Sequence, residues 1–377
     1  MKQYQTIVVG GGPAGATAAY LQGQLGYRVL LLEQAQFPRS KPCAGLLTGK
    51  TLKTLDSIYH KSEQQLIVEE LIIDSSNFYQ IYNQNQLIYE GQTVRNFYYT
   101  SREIFDSYLI KKARSSGVEV RENSRVVELD LKKQMVVTEE GEVFNYRYLI
   151  GADGANSRVR QTFFKESPGL KSRFKKGMGI TLEARIPRDN NYLSVDHPML
   201  HYGVINWGYG WVFPEADRLV LGIAGLREKN ENPLQLFEDY LELLNLNPDM
   251  IDYRGWTLPY GNFLTRPGCR NLLLVGDAAG LVNPITGEGI YYALKSGQLA
   301  VRAIDKVEGH RTTGLIDIYA DSLKEEIIPE LKFFLRLRAL LCKSPGVIQG
   351  WLLKAALHLF GNYLTDKIQT GHRSEDL

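Results

Sequence analysis

Three cysteines in 377 residues, Cys43, Cys269 and Cys342, are too few and too scattered to build a disulfide framework or a thiolate metal site. Such sparse usage implies a reducing, cytoplasmic setting. Histidine is scarce too, at six residues. His197 and His201 have the spacing of helical metal ligands, but Pro198 stands between them in a segment that reads as extended, so no metal is expected. Long apolar runs are missing: no stretch approaches the roughly 18 consecutive residues of a membrane-spanning helix. The first strand-like run begins so close to Met1 that no signal peptide is expected. Nor is there an excess of one charge. Lys and Arg number 44 against 42 Asp and Glu, and a formal net charge of +2 makes no case for a nucleic-acid partner. Repeats and low-complexity linkers are absent. What remains, 44% hydrophobic and 23% charged, is ordinary for a soluble globular protein long enough for two interleaved domains and an appendage.

Glycine, at 35 residues, is where the chain becomes specific. Gly10-Gly11-Gly12-Pro13-Ala14-Gly15 follows an apolar run, residues 6–9, that reads as a buried strand. Pro13 and Ala14 lead into a predicted helix over 16–25, which completes the strand-turn-helix setting of a dinucleotide fingerprint. In that setting Gly10 permits a tight turn, Gly12 leaves room for a pyrophosphate, and Gly15 lets helix and strand pack closely. The unpaired amides of the helix N-terminus face the phosphates. A second strand, 28–32, ends in Glu33, roughly 20 residues beyond the glycines, where an acid accepts hydrogen bonds from a ribose and disfavours a 2′-phosphate.

The second signature is Gly276-Asp277-Ala278-Ala279-Gly280, after another buried-strand run at 272–275. Asp277 at the strand end is placed to bind a ribityl hydroxyl, and the alanines keep the loop narrow. Pro284, Gly287, Glu288 and Gly289 introduce a helix whose apolar positions Ile290, Ala293, Leu294, Gly297 and Val301 recur at helical spacing. Its N-terminus carries a partial positive charge suited to an anionic reduced flavin. Together the two signatures describe one bound FAD.

Between them, residues 102–109 begin a helix with Ile104, Phe105, Tyr108, Leu109 and Ala113 on one face and Gly117 as its cap. Short strands are predicted at 118–120, 125–129, 135–138 and 148–150, the last opening onto Gly151-Ala152-Asp153-Gly154. Residues 177–260 read as mostly β, with a helix at 234–244. The expected fold is α/β. A Rossmann-like FAD-binding domain in three pieces, 1–60, 100–165 and 270–310, interleaves with a mainly antiparallel β-sheet substrate domain, 61–99 and 166–269, and a C-terminal helical region, 311–377, follows. Residues 347–364 are rich in large apolar side chains and read as a core helix, a dimer contact or an interfacial helix touching a bilayer.

These motifs, with Arg102 in its Arg-x-x-Phe-Asp-x-x-Leu setting, resemble the FAD-binding motifs of the para-hydroxybenzoate hydroxylase superfamily. Three further segments are similar to the geranylgeranyl reductase family: Lys41-Pro42-Cys43-Ala44-Gly45, Tyr209-Gly210-Trp211-Val212-Phe213-Pro214, and Asn283-Pro284-Ile285-Thr286-Gly287-Glu288-Gly289-Ile290. The resemblance implies FAD-dependent saturation of isoprenoid double bonds, in prenyl lipids, prenyl diphosphates or prenylated quinones. It also implies that Arg102, Asp153, Gly154, Ala44 and Gly45 attend the cofactor and that the Cys43 loop lies beside the flavin.

In an extended strand Trp207, Tyr209, Trp211 and Phe213 project to one face and Gly208 and Gly210 leave the other bare. That face serves either as a wall for a long apolar substrate or as plain sheet core. Cys43 reads as a small buried hydrophobe or, by the resemblance, as a functional thiol; Lys41 reads as a solvated charge or as a partner for an anionic head group. The implied chemistry is hydride transfer from reduced FAD to one alkene carbon while a proton reaches the other, with Cys43, Tyr209 or water as proton source. No second nucleotide fingerprint follows, so the electron donor is NADPH bound transiently or a carrier protein. The rival readings are a flavin monooxygenase or halogenase, and a flavin electron-transfer protein with no substrate of its own.

Overall fold

The computed structural model describes residues 2–188, 193, 195–215, 217–310 and 314–343, and in it the chain forms two eight-stranded sheets. Strand Lys2–Val9 lies inside the first sheet, and its last four residues are buried, the apolar Ile7, Val8 and Val9 together with Thr6, as a strand covered on both faces requires. Val29–Leu32 and Val143–Gly151 pair with it in parallel, one on each side. Glu119–Arg121 and Leu272–Leu274 extend the sheet outward in the same sense. Register sets Val9 level with Leu32 and Gly151, and Gly151 level with Leu274. Residues 10–12, 33, 152–154 and 276–277 therefore leave the sheet along one edge. The chain fills one side of Lys2–Val9 before the other, so this edge is a topological switch point, where open α/β sheets bind ligands. Helix Pro13–Gln24 packs between Arg102–Ser115 and Ile290–His310.

The second sheet runs Tyr253–Pro259, Met178–Pro187, Arg218–Leu226, Gly208–Pro214, Met199–Tyr202, Asp74–Asn83, Gln86–Tyr99, Leu46–Leu47. It is antiparallel except where Met199–Tyr202 meets Asp74–Asn83. Strand alternation gives it two different faces. Leu182, Ala184, Val212, Leu221 and Ile223 pack with Phe237, Tyr240 and Leu241 of helix Pro233–Leu243. Trp211, Phe213, Ala224 and the half-buried Tyr209 form a separate cluster on the opposite face, which turns toward the ligand edge of the first sheet. Helices Leu315–Glu326 and Ile328–Lys343 close the described chain. No helix among the described residues is long and apolar enough to cross a membrane.

Two expectations are corrected. Trp207 has φ of 55° and precedes the strand, so it does not share the face of Tyr209, Trp211 and Phe213. Ile104 is 42% exposed; the buried stripe of its helix is Phe105, Leu109, Ile110 and Ala113, and Ile110 takes the place that Ile104 was expected to fill. The apolar segment 347–364 lies outside the described residues.

Candidate active site

A cavity of about 340 Å³ runs from the ligand edge of the first sheet to the aromatic face of the second. Gly12, Pro13 and Ala14 border it, at the start of a helix whose N-terminus has no side-chain cap and no acid in its first turn. A Cβ at Gly12 would have only the Arg39 guanidinium within 4 Å, at 3.7 Å, so this amide edge is open. Gly10 and Gly15 stand behind it and act by shape. Gly10 has φ of 104°, and a Cβ on Gly15 would lie 1.9 Å from the Gly10 carbonyl oxygen.

The buried Glu33 carboxylate accepts the Gly11 N–H at 2.6 Å and the Ala35 N–H at 3.0 Å. It is fixed at the strand end, and each oxygen keeps a second lone pair for a ribose hydroxyl. Arg102 forks onto buried Asp106 at 2.8 and 2.7 Å, and Arg39 reaches the same carboxylate at 3.2 Å. Burial alone would lower the pKa of Arg102, but Asp106 outweighs it and raises it far above the ordinary value. Arg39 also lies 3.7 Å from the Glu33 carboxylate, so the two guanidiniums are balanced by two carboxylates, and what they offer a diphosphate beside Gly12 is fixed N–H donors rather than surplus charge. Arg39 was not singled out in the sequence because it belongs to no glycine motif; its only signal is an arginine shortly after Glu33.

Gly154 borders the cavity and Asp153 stands off it. The Asp153 carboxylate accepts the Ser157 hydroxyl at 2.5 Å and the N–H groups of Arg158 and Val159 at 2.7 and 3.0 Å, so it secures the first turn of helix Arg158–Glu166, whose N-cap is Ser157. Arg160 of that helix, also missed, donates to the carbonyls of Ala278 and Asp277 at 3.1 and 3.3 Å and shapes the second glycine loop from below. Asp277 borders the cavity with Lys41 Nζ 3.5 Å away, so Lys41 is the internal partner of Asp277. Gly276, with φ of 53°, packs near Ala14 and Ala293 behind the loop. Pro284 also stands behind it, its carbonyl accepting Arg338 Nη1 at 3.0 Å.

Gly287, Glu288, Gly289 and Ile290 border the cavity where helix Ile290–His310 begins. The Glu288 carboxylate turns away to Lys50 Nζ at 2.8 Å and the Thr48 hydroxyl at 2.7 Å. Lys50 also contacts Glu330 at 2.8 Å, which ties the loop to helix Ile328–Lys343.

The Cys43 loop crosses the middle of the cavity with Ala44 and Gly45. Gly45 has φ of 68°, and its Cβ would lie 2.1 Å from the Thr100 carbonyl, so this turn admits only glycine. Beyond it Tyr209, Trp211 and Phe213 form the wall. Tyr209 donates its hydroxyl to the Thr286 carbonyl, bracing the wall against the cofactor loop, and burial raises its phenol well above the usual range. Trp211 lies over Gly222, where a Cβ would come within 2.4 Å of its ring, and its indole N–H has no partner among the described residues. A third missed residue, Glu183, projects from strand Met178–Pro187 into the same space.

An open helix N-terminus, paired arginines, a fixed acid and small loop residues fit the diphosphate, ribose and ring of FAD. A family model described as an FAD binding domain matches residues 3–201. Geranylgeranyl diphosphate reductase of Rhodobacter capsulatus is 30% identical over 313 residues, 80% of this chain and 75% of its own. This chain belongs to the geranylgeranyl reductase family. It is an FAD-dependent oxidoreductase. Another relative is digeranylgeranylglycerophospholipid reductase of Methanocaldococcus jannaschii, 27% identical over 80% of this chain and 77% of its own. Among solved structures, a geranylgeranyl bacteriochlorophyll reductase-like protein of Thermoplasma acidophilum shares the fold with a TM-score of 0.79 and 21% identity, covering 98% of this chain and 100% of that one.

Proposed function

We propose that this reductase saturates carbon–carbon double bonds of an isoprenoid chain laid along the aromatic wall. The observation that carries the reading is the continuity of one cavity from the open amides of Gly12 to an apolar half bounded by Phe97, Leu200, Trp211, Phe213 and Leu337. Such a surface holds a prenyl chain by area, with few hydrogen bonds to specify it. The names of the relatives from Rhodobacter capsulatus and Methanocaldococcus jannaschii support a prenyl diphosphate or prenyl lipid as substrate.

Bound in its reduced form, FAD supplies a hydride to the alkene. The residues of the chain do the rest. Gly12, Arg39 and Arg102 bind the diphosphate, Glu33 and Asp277 take hydroxyls, and the start of Ile290–His310 faces the ring. Trp211 and Phe213 exclude water and orient the chain. On this reading 1–60, 100–165 and 270–310 hold the cofactor and 61–99 and 166–269 hold the substrate, with Phe334, Leu337 and Leu341 adding to the apolar end. Electrons come from NADPH or a carrier protein.

The test is to reduce the purified protein without oxygen and add geranylgeranyl diphosphate or a digeranylgeranyl lipid. The flavin absorbance of the oxidised state should return with substrate and stay bleached without it. Oxygen uptake with a hydroxylated product would instead identify a monooxygenase. A lysine in the apolar half would have to lose its hydration beside a prenyl chain. Leu337→Lys should therefore weaken prenyl-lipid binding on the order of 10²-fold, about 2.7 kcal/mol, with flavin content unchanged. Equal affinity in a fluorescence titration would mean that the chain lies elsewhere.

A further inference from the structure

Glu183 is the feature of the cavity that the proposed reductase reading leaves unused. It is 7% exposed, on the face of Met178–Pro187 that also sends Thr181 into the cavity, while Leu182 and Ala184 point into the opposite core. Its Oε1 accepts the Cys43 N–H at 3.3 Å, so the carboxyl group is held directly beneath the Cys43 turn. Across the sheet its register partner Gly222 is the residue over which the Trp211 ring lies. Glu183 thus sits between the cofactor loops and the aromatic wall.

Three other polar groups of this stretch have partners of their own. Asp277 is matched by Lys41, and Glu288 by Lys50 at 2.8 Å. Tyr209 gives its hydrogen to the Thr286 carbonyl. Among the described residues the ion-pair partner of Glu183 is Arg185, at 3.6 Å, on its own strand. From neighbouring elements it faces the Cys43 turn, Glu215 at the end of Gly208–Pro214, and Arg102 at the start of Arg102–Ser115. Its register partner on Tyr253–Pro259 is Arg254, whose guanidinium reaches outward to Ser40.

We propose that Glu183 is the proton donor of the reduction, acting from the Cys43 end of the cavity. The inference rests on the reductase reading. The alkene receives a hydride, with both electrons, from reduced FAD at one carbon. At the other carbon a C–H bond forms as the Glu183 O–H bond breaks. FAD is left oxidised and Glu183 is left as a carboxylate, steadied by Arg185 and the Cys43 N–H, until water returns a proton between turnovers. Burial raises the Glu183 pKa to about 7, partly opposed by Arg185, so the acid form persists near neutrality. A carboxylic acid of that strength is far better suited to protonating carbon than the Tyr209 phenol.

The test compares wild type with Glu183→Gln, Glu183→Asp and Cys43→Ala in single-turnover reoxidation of the reduced flavin by a prenyl substrate. Wild type should slow as pH rises through about 7, because the acid form is lost. Glu183→Gln should be slower by on the order of 10²-fold and flat with pH, with flavin content and prenyl affinity kept, and Glu183→Asp should recover part of the rate. Cys43→Ala should keep the wild-type pH dependence. Independently of turnover, infrared difference spectra of the resting protein between pH 6 and pH 9 should show the carbonyl stretch of a protonated carboxyl group that Glu183→Gln removes. If wild type turns over and Glu183→Gln matches its rate and pH profile, or if only Cys43→Ala abolishes the pH dependence, the proposal is wrong and the reductase reading stands. If wild type reoxidises with no prenyl substrate, the reductase reading fails, and the infrared band alone then decides whether Glu183 holds its proton.

Discussion

Lys50→Met is expected to cost about 3–5 kcal/mol of folding stability at pH 7, measured by chemical denaturation. Lys50 is 3% exposed, contacts Glu288 and Glu330 at 2.8 Å each, and lies over the rings of Tyr291 and Tyr292 at 4.4 and 4.6 Å. Burial would lower its pKa, but the two carboxylates and Tyr292 outweigh that and hold it well above the ordinary value. Methionine keeps the packing and removes the charge, leaving buried carboxylates with no cation between them. The pH dependence has a definite sign. Burial raises the Glu288 pKa despite Lys50, so its contribution to stability is complete below the ordinary glutamate range and fades as pH rises through the raised value. Without Lys50 that value rises further. The penalty should therefore be largest at neutral and alkaline pH and shrink on acidification. Adding Glu288→Gln should recover part of the loss, because the two sites are in contact and their effects do not add. A loss under about 1 kcal/mol at pH 7 would show that the network is held by packing rather than charge.

Gly15→Ala should empty the protein of FAD. Helix propensity alone favours alanine by about 1 kcal/mol, so a sequence rule predicts a gain. The contact decides otherwise: the new methyl would lie 1.9 Å from the Gly10 carbonyl oxygen and 3.0 Å from the Ala152 Cβ. Backbone cannot rotate away as a flexible side chain can. The helix must lift from the strand, and the open amides after Gly12 move with it. Losing one charge-assisted hydrogen bond to the diphosphate, about 1.5–3 kcal/mol, is enough to weaken binding by on the order of 10²-fold. Flavin absorbance per polypeptide reads the result. Gly309, with nothing within 4 Å, supplies the control, since Gly309→Ala should leave flavin content unchanged. Full flavin content in Gly15→Ala would mean that helix and strand can separate without disturbing the cofactor.

The cofactor end of the cavity was readable because its devices are local. A strand, a glycine turn and a helix follow one another within residues 6–25, and the same is true of 272–301. The wall was readable as alternation, since Tyr209, Trp211 and Phe213 share a face of one strand. Trp207 was misread because a left-handed residue ends the strand period, and side-chain pattern does not report backbone sign. Asp153 was placed at the cofactor, whereas its oxygens are used by the helix that follows it. Lys50 and Glu183 were invisible for a different reason. Lys50 meets Tyr292 and Glu330, 242 and 280 residues away in sequence, and Glu183 is buried by a turn 140 residues earlier. A charged residue in an alternating strand reads as solvated until the element that covers it is known.

The most direct test of the account is the mass of the prenyl product after one anaerobic turnover. Saturation along the Trp211 wall predicts recovered geranylgeranyl diphosphate or digeranylgeranyl lipid heavier by two hydrogens per bond reduced, in amounts matching the flavin reoxidised. Prenyl substrate recovered at its original mass, or heavier by oxygen once air is admitted, would contradict it.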